Sequence, residues 1–577
     1  MELEELAKKY ALKNAVEHDG ECNTNAVMGQ IFSEGEFDDK GKVGREAGKV
    51  CSEVNQMGLK QQKEEIKAYE YEEEEHEHDP IPDLDIDEGE EVILRFAPNP
   101  NGPPHVGHAR GMVINGELKK KYDGKLILRY DDTDPVTKRP LKNKEYDAYR
   151  MLEEDYEWLG YEIDEIRYSS KNFDEYIEVA ERLIEIEKAY VCKCSQEKGQ
   201  KYRKEGKVCP HRDQSAEKNM ELWDAMRNVG LEDEDSQGDS SRRKSSDGRI
   251  SEGAATLKIK TDMQHKNPAV RDFVAFRIIE DPDHPITGDK YRVWPMLDFQ
   301  GAVEDHLMGT THIFRGKDLR ASKERQKYIY NYLDWEYPEV RHWGNVRISG
   351  FEAPVSGSKL SELIENGELE GWDDPRAPTL RALKKRGFRP EAIRKFFIEM
   401  GVTENDVEAS VESLEKENTR VIDEKADRAF FVREPVKLEI SGLPEDLEAE
   451  IPVHPEFPER GNRVHELGIE NGGVEIFVEE SDLSDGYFRL KGLCNIEVED
   501  GKAEFRPGDH KDALENDAEF IHWVPENSDE ATVRMPTGKD IEGLIEPVEI
   551  KVDEVIQFER FGFARKDSEN IFYFAHE

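Results

Sequence analysis

The sequence predicts a multidomain α/β protein with an all-β C-terminal part, and three observations carry that prediction. A length of 577 residues is several times that of one domain, so three to five domains are expected. Between Glu91 and Tyr190 short apolar runs alternate with helical segments, the texture of a parallel, doubly wound sheet. Beyond Phe430 the chain turns to short alternating runs separated by Gly, Pro and Asp, the texture of one or two barrels.

Each element follows in order. Residues 1 to about 70 carry helix formers with few β-branched runs, and YEYEEEEHEHDPIPDLDIDEGEE, from Tyr69 to Glu91, reads as an acidic linker. VILRFA is a short apolar strand, NPNGPPHVGHARGMVINGELKKKY a turn entering a helix, and KLILRYDD a second strand. LKNKEYDAYRMLEEDYEWLG reads as a helix, EIRYSS as a strand and NFDEYIEVAERLIEIEKAY as another helix. After Tyr190 a Cys/His segment, a polar tract between Gly230 and Ala255, and the strand-like TLKIKTD and AVRDFVAFRII interrupt the alternation, which predicts an insertion into the sheet domain. The polar tract has the composition of a disordered surface loop. Helix and loop patterns resume from about Trp294 to Lys425, and the β-rich part follows with VKLEI, GVEIFVEE, GYFRL, FIHWVP, VEIKV and VIQFERFGFA.

Composition narrows the class. With 36% hydrophobic residues and no apolar run long enough for a bilayer, a soluble cytoplasmic protein without a membrane partner is expected, and MELEELAKKY is amphipathic rather than signal-like. Six cysteines in so long a chain do not make a disulfide framework; Cys22, Cys51 and Cys494 look incidental, while three others cluster between Cys192 and Cys209. The net charge of -47, from 129 acidic against 82 basic residues, ordinarily argues against a nucleic-acid partner. Near molar salt, however, the Debye length falls to about 3 Å and distant repulsion is screened. The acidity therefore reads as adaptation to high intracellular salt, as in halophilic archaea.

The most informative segment is RFAPNPNGPPHVGHARG, from Arg95 to Gly111, which places His105 and His108 on a tight turn between the first strand and first helix. Free N–H groups at a helix start attract phosphate. Gly107 lets a flat base approach the backbone, and two imidazole N–H groups can donate to phosphoryl oxygens. The alternative is a Pro/Gly-rich turn with two solvated histidines.

Here the sequence closely resembles the class I aminoacyl-tRNA synthetases, whose first signature is His-Ile-Gly-His; this chain has His105, Val106, Gly107 and His108. LRYDDTDP (Leu128 to Pro135) and WPMLDFQGAVEDHLMGTTHIFRGKDL (Trp294 to Leu319) narrow the likeness to the glutamyl and glutaminyl enzymes. The second signature, Lys-Met-Ser-Lys-Ser, corresponds to Pro354, Val355, Ser356, Gly357 and Ser358, followed by Lys359. Glycine occupies the usual lysine position. Archaeal-type glutamyl enzymes show a similar shift, so the leaving-phosphate role falls to Lys359, with Ser358 beside it; an exposed lysine on a flexible Ser/Gly loop is the plainer alternative.

The resemblance implies ATP binding by His105, Gly107, His108 and Lys359, with a magnesium ion, and two-step chemistry. The substrate carboxylate is already a nucleophile, so attack on the ATP α-phosphorus needs no general base, and catalysis is mainly positioning and charge stabilisation. Arg95 and Asp131 match residues that meet the substrate and its ammonium group. Arg315 falls where glutamate enzymes carry arginine, and a guanidinium serves a carboxylate better than an amide. Each has a structural salt bridge as its alternative. Leu297 stands where relatives often have tyrosine.

Cys192-x-Cys194 and Cys209-x-His211 offer four ligands in two close pairs, as a structural Zn2+ site requires, against an alternative of reduced, buried cysteines. Some glutamyl enzymes carry a similar knuckle in the inserted acceptor-binding domain.

The implied organisation is a helical appendage and acidic linker over 1–90, a Rossmann-type catalytic domain over 91–190 and 294–360, an inserted acceptor-stem-binding domain over 191–293, a helical connector over 361–429 and anticodon-binding β-barrels over 430–577. Arg560, Phe561 and Phe563 are aromatic and basic neighbours suited to stacking on unpaired bases, although strand aromatics are more often core. The implied partners are L-glutamate and tRNA(Glu), with tRNA(Gln) a second candidate, acting on a monomer. Three rivals stand beside a glutamyl-tRNA synthetase. Arg315 argues against a glutaminyl enzyme, the long C-terminal module against an enzyme glutamylating something other than tRNA, and intact His105, His108 and Lys359 against a non-catalytic tRNA-binding scaffold.

Overall fold

A computed structural model describes every residue except 1–2, 18–19, 21, 35–39, 67–68, 70–79, 88, 229–248, 446 and 466. Part of the expected acidic linker and most of the polar tract therefore lie outside the described residues. The chain forms two compact units, Met1–Asp79 and Pro80–Glu577.

The first unit is helical, with α1 (Leu3–Glu17), α2 (Thr24–Glu34), α3 (Lys40–Asn55) and α4 (Leu59–Glu65). Ala7, Ala11 and Ala15 give α1 a small-residue stripe, and these pack with Val27, Ile31, Val43 and Val54 in a core of their own. One expectation fails here. Cys22 and Cys51, read as incidental, are joined as a disulfide with Cα atoms 5.4 Å apart. Asn55 fixes the approach by accepting from the Cys22 N–H at 2.6 Å and donating back to its carbonyl at 3.3 Å. Spacing along the chain carries no sign of that meeting.

In the second unit the alternation read from sequence becomes β1 (Ile93–Phe96), α5 (Val106–Tyr122), β2 (Lys125–Tyr130), α6 (Ala148–Trp158), β3 (Glu165–Tyr168) and α7 (Phe173–Glu185). An antiparallel sheet follows: β4 (Ala189–Cys192), β5 (Thr256–Ile259), β6 (Val274–Ile278) and β7 (Val293–Pro295), with α8 (Gln196–Glu205) and α9 (Ala216–Arg227) between its first two strands. The chain then returns to the first sheet through α10 (Leu297–Leu307), β8 (His312–Gly316), α11 (Arg320–Leu333) and β9 (Glu339–Trp343).

The five-stranded sheet runs β3-β2-β1-β8-β9 with every pairing parallel. Parallel strands are covered on both faces, which is why Leu94, Leu126, Ile127 and Leu128 are fully buried and the runs read as continuously apolar. Helix α5 buries Val106, Met112, Val113, Ile114 and Leu118 against this sheet. It ends on Asp123 in the left-handed region, and Gly124 follows because a Cβ there would sit 2.5 Å from the Val92 carbonyl oxygen. That close turn delivers β2 alongside β1. Strand order reverses between β1 and β8, and a cleft opens at the C-terminal ends of strands at such a point.

Beyond the sheet, β10 (Val346–Ser349) pairs in parallel with β11 (Val407–Ser410), and α12 (Gly357–Glu365), α13 (Leu380–Arg386), α14 (Pro390–Met400) and α15 (Val411–Ile422) form the helical region. Buried Arg386 on α13 donates to the carbonyls of Phe574 and Ala575, tying these helices to the last strand. The C-terminal part holds two barrel-like seven-stranded sheets and a two-stranded ribbon, Ala449–Pro452 with Asn462–His465. Two strand expectations are corrected. VEIKV forms no strand, since Pro547 precedes it and the Val548 N–H turns back onto the Glu546 carbonyl at 2.8 Å. FIHWVP splits into Glu519–Ile521 and Val524–Pro525.

Candidate active site

A cavity of about 550 Å3 opens where β1, β2 and β8 end, with the start of α5 at one side and α10 at the other. The three strands deliver the expected amino-acid residues to it: Arg95 from β1, Asp131 from the turn after β2, and Arg315 from β8 all line its wall. Gly107 and His108 line the opposite end.

The histidine turn is built by its own side chains. His105 is the N-cap of α5; its Nδ1 accepts from the Gly107 N–H at 3.1 Å, and His108 Nδ1 accepts from the His105 N–H at 3.4 Å. The rings stack with centroids 3.8 Å apart. Because both Nδ1 atoms accept, each neutral ring carries its hydrogen on Nε2, which is left to donate. Burial lowers His105 to about 4, and burial with neighbouring His105 and Lys138 holds His108 well below the usual imidazole range. These histidines are therefore neutral donors, so positive charge at this end comes from lysine. Gly107 has a reason the sequence did not reveal: a Cβ there would lie 3.0 Å from His105 Cε1, a tight contact with the ring that caps the helix. The turn is braced by the Val106 N–H donating to Pro378 at 2.8 Å and the Leu380 N–H donating to Pro104 at 3.1 Å.

The signature loop lies beside this turn. A Cβ on Gly107 would come within 3.8 Å of Val355 Cγ1, and one on Gly357 within 3.9 Å of Asn101 Oδ1. Ser358 and Lys359 are exposed on the first turn of α12 and do not line the cavity. Lys138, exposed on the loop after β2, does line it. No role was read for Lys138 because nothing in its local sequence distinguishes it.

Where β1, β2 and β8 end, the buried guanidiniums of Arg95 and Arg129 meet two carboxylates, and that of Arg315 lies in the same wall. Asp305 Oδ1 accepts from Arg95 Nε at 3.1 Å and Arg129 Nη1 at 2.7 Å. Arg129 also donates from Nε to Asp131 Oδ1 at 2.8 Å and from Nη2 to Oδ2 at 3.3 Å. Gln300 Nε2 donates to Asp131 Oδ1 at 2.8 Å and to Ser169 Oγ at 2.7 Å. Burial alone would raise the Asp305 carboxyl, but Arg95, Arg129 and Arg315 outweigh it and hold it below the usual range. Burial likewise opposes the charge on Arg129, and Asp131 with Asp305 more than restores it. Arg315 differs: Nη1 donates to Gln326 Oε1 at 3.0 Å and Nη2 to the Tyr337 hydroxyl at 3.3 Å, with no carboxylate in ion-pair reach among the described residues. Leu297 lies on the cavity wall, half exposed. Sequence reasoning gave no role to Arg129, Gln300, Asp305, Gln326 or Tyr337. The first three stand inside quoted motif segments, but their partners lie on other elements.

The four expected metal ligands also come together. The three sulfurs and a ring nitrogen of His211 lie within 4.8 Å of one another, with Cys192 to Cys209 at 3.5 Å, Cys194 to Cys209 at 3.6 Å and Cys209 to His211 Nδ1 at 3.4 Å. Zn–S bonds of about 2.3 Å imply tetrahedral edges of roughly 3.7 Å, so the donor set fits a closed four-ligand site. It sits where β4 ends and α8 begins.

Comparison with known proteins adds independent findings. Residues 91–237 and 231–424 match the catalytic domain of class I tRNA synthetases (E and Q), and 426–511 match the anticodon-binding domain of the same group. The chain is 44% identical over 575 residues to a glutamate–tRNA ligase of Archaeoglobus fulgidus and 43% identical over 590 residues to one of Pyrococcus furiosus, with 98% of each chain covered in both cases. A glutamate–tRNA ligase of Methanothrix thermoacetophila is 43% identical over 594 residues, covering 100% of this chain and 99% of the relative. With matches across both the catalytic and the anticodon-binding parts and a cavity of the expected composition, the chain belongs to the glutamyl and glutaminyl (E and Q) family of class I tRNA synthetases.

Proposed function

We propose that this protein is a glutamate–tRNA ligase that joins L-glutamate to tRNA(Glu) in the cytoplasm. The observation that carries the choice of amino acid is Arg315, a buried guanidinium on the cavity wall held, among the described residues, by the neutral groups of Gln326 and Tyr337. A desolvated cation with no carboxylate in contact favours a carboxylate over a carboxamide. Asp131 receives the substrate ammonium, and the free Nη atoms of Arg95 face a substrate carboxylate.

In the first step the glutamate α-carboxylate attacks the α-phosphorus of ATP, delivered as its magnesium complex. The bond to the β-phosphate oxygen breaks, pyrophosphate leaves and glutamyl-adenylate forms. His105 and His108 donate Nε2–H bonds to phosphoryl oxygens without adding charge. Lys359, on α12 beside the histidine turn, meets the leaving phosphates when its loop closes, so stabilisation there develops with the transition state. In the second step a terminal ribose hydroxyl attacks the mixed anhydride carbonyl and AMP departs. Cys192, Cys194, Cys209 and His211 hold a structural zinc that fixes the loop between β4 and α9. A closed set of four protein ligands leaves no open position for catalysis.

The test is tRNA charging by the purified chain in about molar potassium chloride, where surface repulsion is screened, with glutamate and glutamine compared on tRNA(Glu) and tRNA(Gln). Charging with glutamate supports the reading. Charging with glutamine alone, or tRNA binding without charging by either amino acid, refutes it.

A further inference from the structure

Arg95, Asp305, Arg129 and Asp131 form an alternating chain of charges, of which Arg95, Arg129 and Asp131 line the cavity. Asp305 touches both arginines through one oxygen, yet it does not line the cavity. It is 2% exposed and stands on α10, behind the wall that Leu297 and Gln300 present. Arg95 gives Asp305 only its Nε, and its Nη nitrogens have no hydrogen bond among the described residues. Arg129 is used on both sides, by Asp305 and by Asp131. Of the three guanidiniums, Arg315 alone is held by neutral groups.

We propose that Asp305 is a positioning residue that sets substrate polarity: by occupying Arg95 and Arg129 with one buried carboxylate, it leaves Arg315 as the guanidinium open to the side-chain carboxylate of glutamate. The inference rests on the reading of this cavity as the glutamate pocket. Physically, a carboxylate entering a low-dielectric site goes to the cation with least counter-charge, because a paired guanidinium offers a far weaker field. Asp305 weakens Arg95 and Arg129 relative to Arg315 as partners for the side-chain carboxylate. The same contact fixes both recognition groups of the amino-acid backbone end: Arg95 directly, and Asp131 through Arg129. The neutral cradle of Gln326 and Tyr337 is the other half of the device, since a carboxylate there would silence Arg315.

The experiment uses inhibition constants in the charging assay with the full-length protein, because these do not depend on the fraction of active enzyme. The probes are glutarate, a dicarboxylate of the same length with no ammonium group, and glutamine, which has no side-chain charge. Asp305→Asn keeps the hydrogen-bonding shape and removes the charge, unmasking Arg95 and Arg129. Glutarate should bind about tenfold more tightly while glutamine changes less than about twofold, and kcat for glutamate should fall as substrate takes wrong poses. Asp305→Glu, which restores the charge, should return the glutarate-to-glutamine ratio to that of the parent. Gln326→Glu gives Arg315 a counter-charge and should weaken glutarate about tenfold with little effect on glutamine. Glutarate and glutamine constants that move together, or not at all, in Asp305→Asn and Gln326→Glu overturn the proposal. If Asp305→Asn does not fold, Asp305→Ser, which also removes the charge, decides it by the same ratio. Arg315→Gln separates the two levels of argument. Unimpaired glutamate charging there sinks the pocket reading, whereas lost charging with unmoved ratios elsewhere sinks only the role of Asp305.

Discussion

The two ends of the cavity are built on opposite principles. At the amino-acid end the groups are buried, ionic and locked to one another before any substrate arrives: Arg95, Asp305, Arg129 and Asp131 form one connected array. At the phosphate end the fixed groups are neutral imidazoles that double as helix caps, and Lys359 stands exposed on a separate helix. The difference follows from the ligands. Selecting one small amino acid needs a rigid site whose reorganisation cost is met in folding. Stabilising charge that grows only during reaction is better done by groups that engage late, since binding ground state and transition state alike gives no rate.

The largest effect should come from the rigid end. Replacing Arg315 by Gln keeps polarity and removes the unpaired cation, leaving no partner for the glutamate side chain. We expect kcat/KM for glutamate to fall about a thousandfold, within the range that loss of a buried charged contact produces, with KM for tRNA unchanged. Steady-state charging kinetics check this, and a drop below tenfold would mean that the array discriminates by shape alone.

Lys359→Ala probes the late-engaging end. If the lysine meets the phosphates only as pyrophosphate leaves, kcat should fall about a hundredfold, as for loss of one transition-state donor. KM for glutamate should stay within twofold. A rise in KM for ATP with kcat preserved would show instead that Lys359 binds the ground state, and the contrast between the two ends would collapse.

The same contrast explains what the sequence allowed. The phosphate end was legible because its chemistry is contiguous: His105, Gly107 and His108 occupy one turn, and a strand-to-helix context around them suffices to suggest nucleotide binding. The Cys/His cluster was legible for the same reason, as two close pairs. The amino-acid end was only half legible. Arg95, Asp131 and Arg315 were reached through motif resemblance, but Asp305 and Arg129 hold one another across 176 residues. Gln326 and Tyr337 have no local pattern at all. Cys22 and Cys51 show the limit most plainly, since their meeting depends on how four helices pack, which no spacing rule encodes. In the C-terminal part, β texture was right while VEIKV was not, because alternation alone does not register the effect of Pro547 on the chain direction.

A smaller effect is expected at the Cys/His cluster, which belongs to neither end. Cys209→Ser removes the sulfur in contact with Cys192, Cys194 and His211. Metal content measured by mass spectrometry should fall from about one zinc per chain to a fraction of that, and thermal unfolding should begin several degrees lower. KM for glutamate should hardly move, because the four residues lie at the end of β4 and in the segments flanking α8, not on the cavity wall. A change in KM for glutamate as large as that in stability would couple the knuckle to the pocket and blur the separation drawn here.

The smallest effect concerns pH, and it tests the claim that the phosphate end is neutral. Burial holds His105 at about 4, against an ordinary imidazole value of 6.5, and lowers His108 as well. Both rings therefore keep their Nε2 donors through the physiological range, and kcat should show no inflection near pH 6.5. Stability behaves differently. His105, His342 and His576 are depressed to about 4 and His522 to about 3, in each case chiefly by burial. Their unfolded forms take up protons below pH 6.5 while the folded forms do not. The native state thus loses stability as pH falls from 6.5 towards 4, and gains nothing from these groups as pH rises above 6.5. Chemical denaturation followed between pH 4 and 8 measures the slope. If kcat does inflect near 6.5 and His108→Gln abolishes the inflection, then the imidazoles act as cations after all, and the phosphate end is charged before ATP binds.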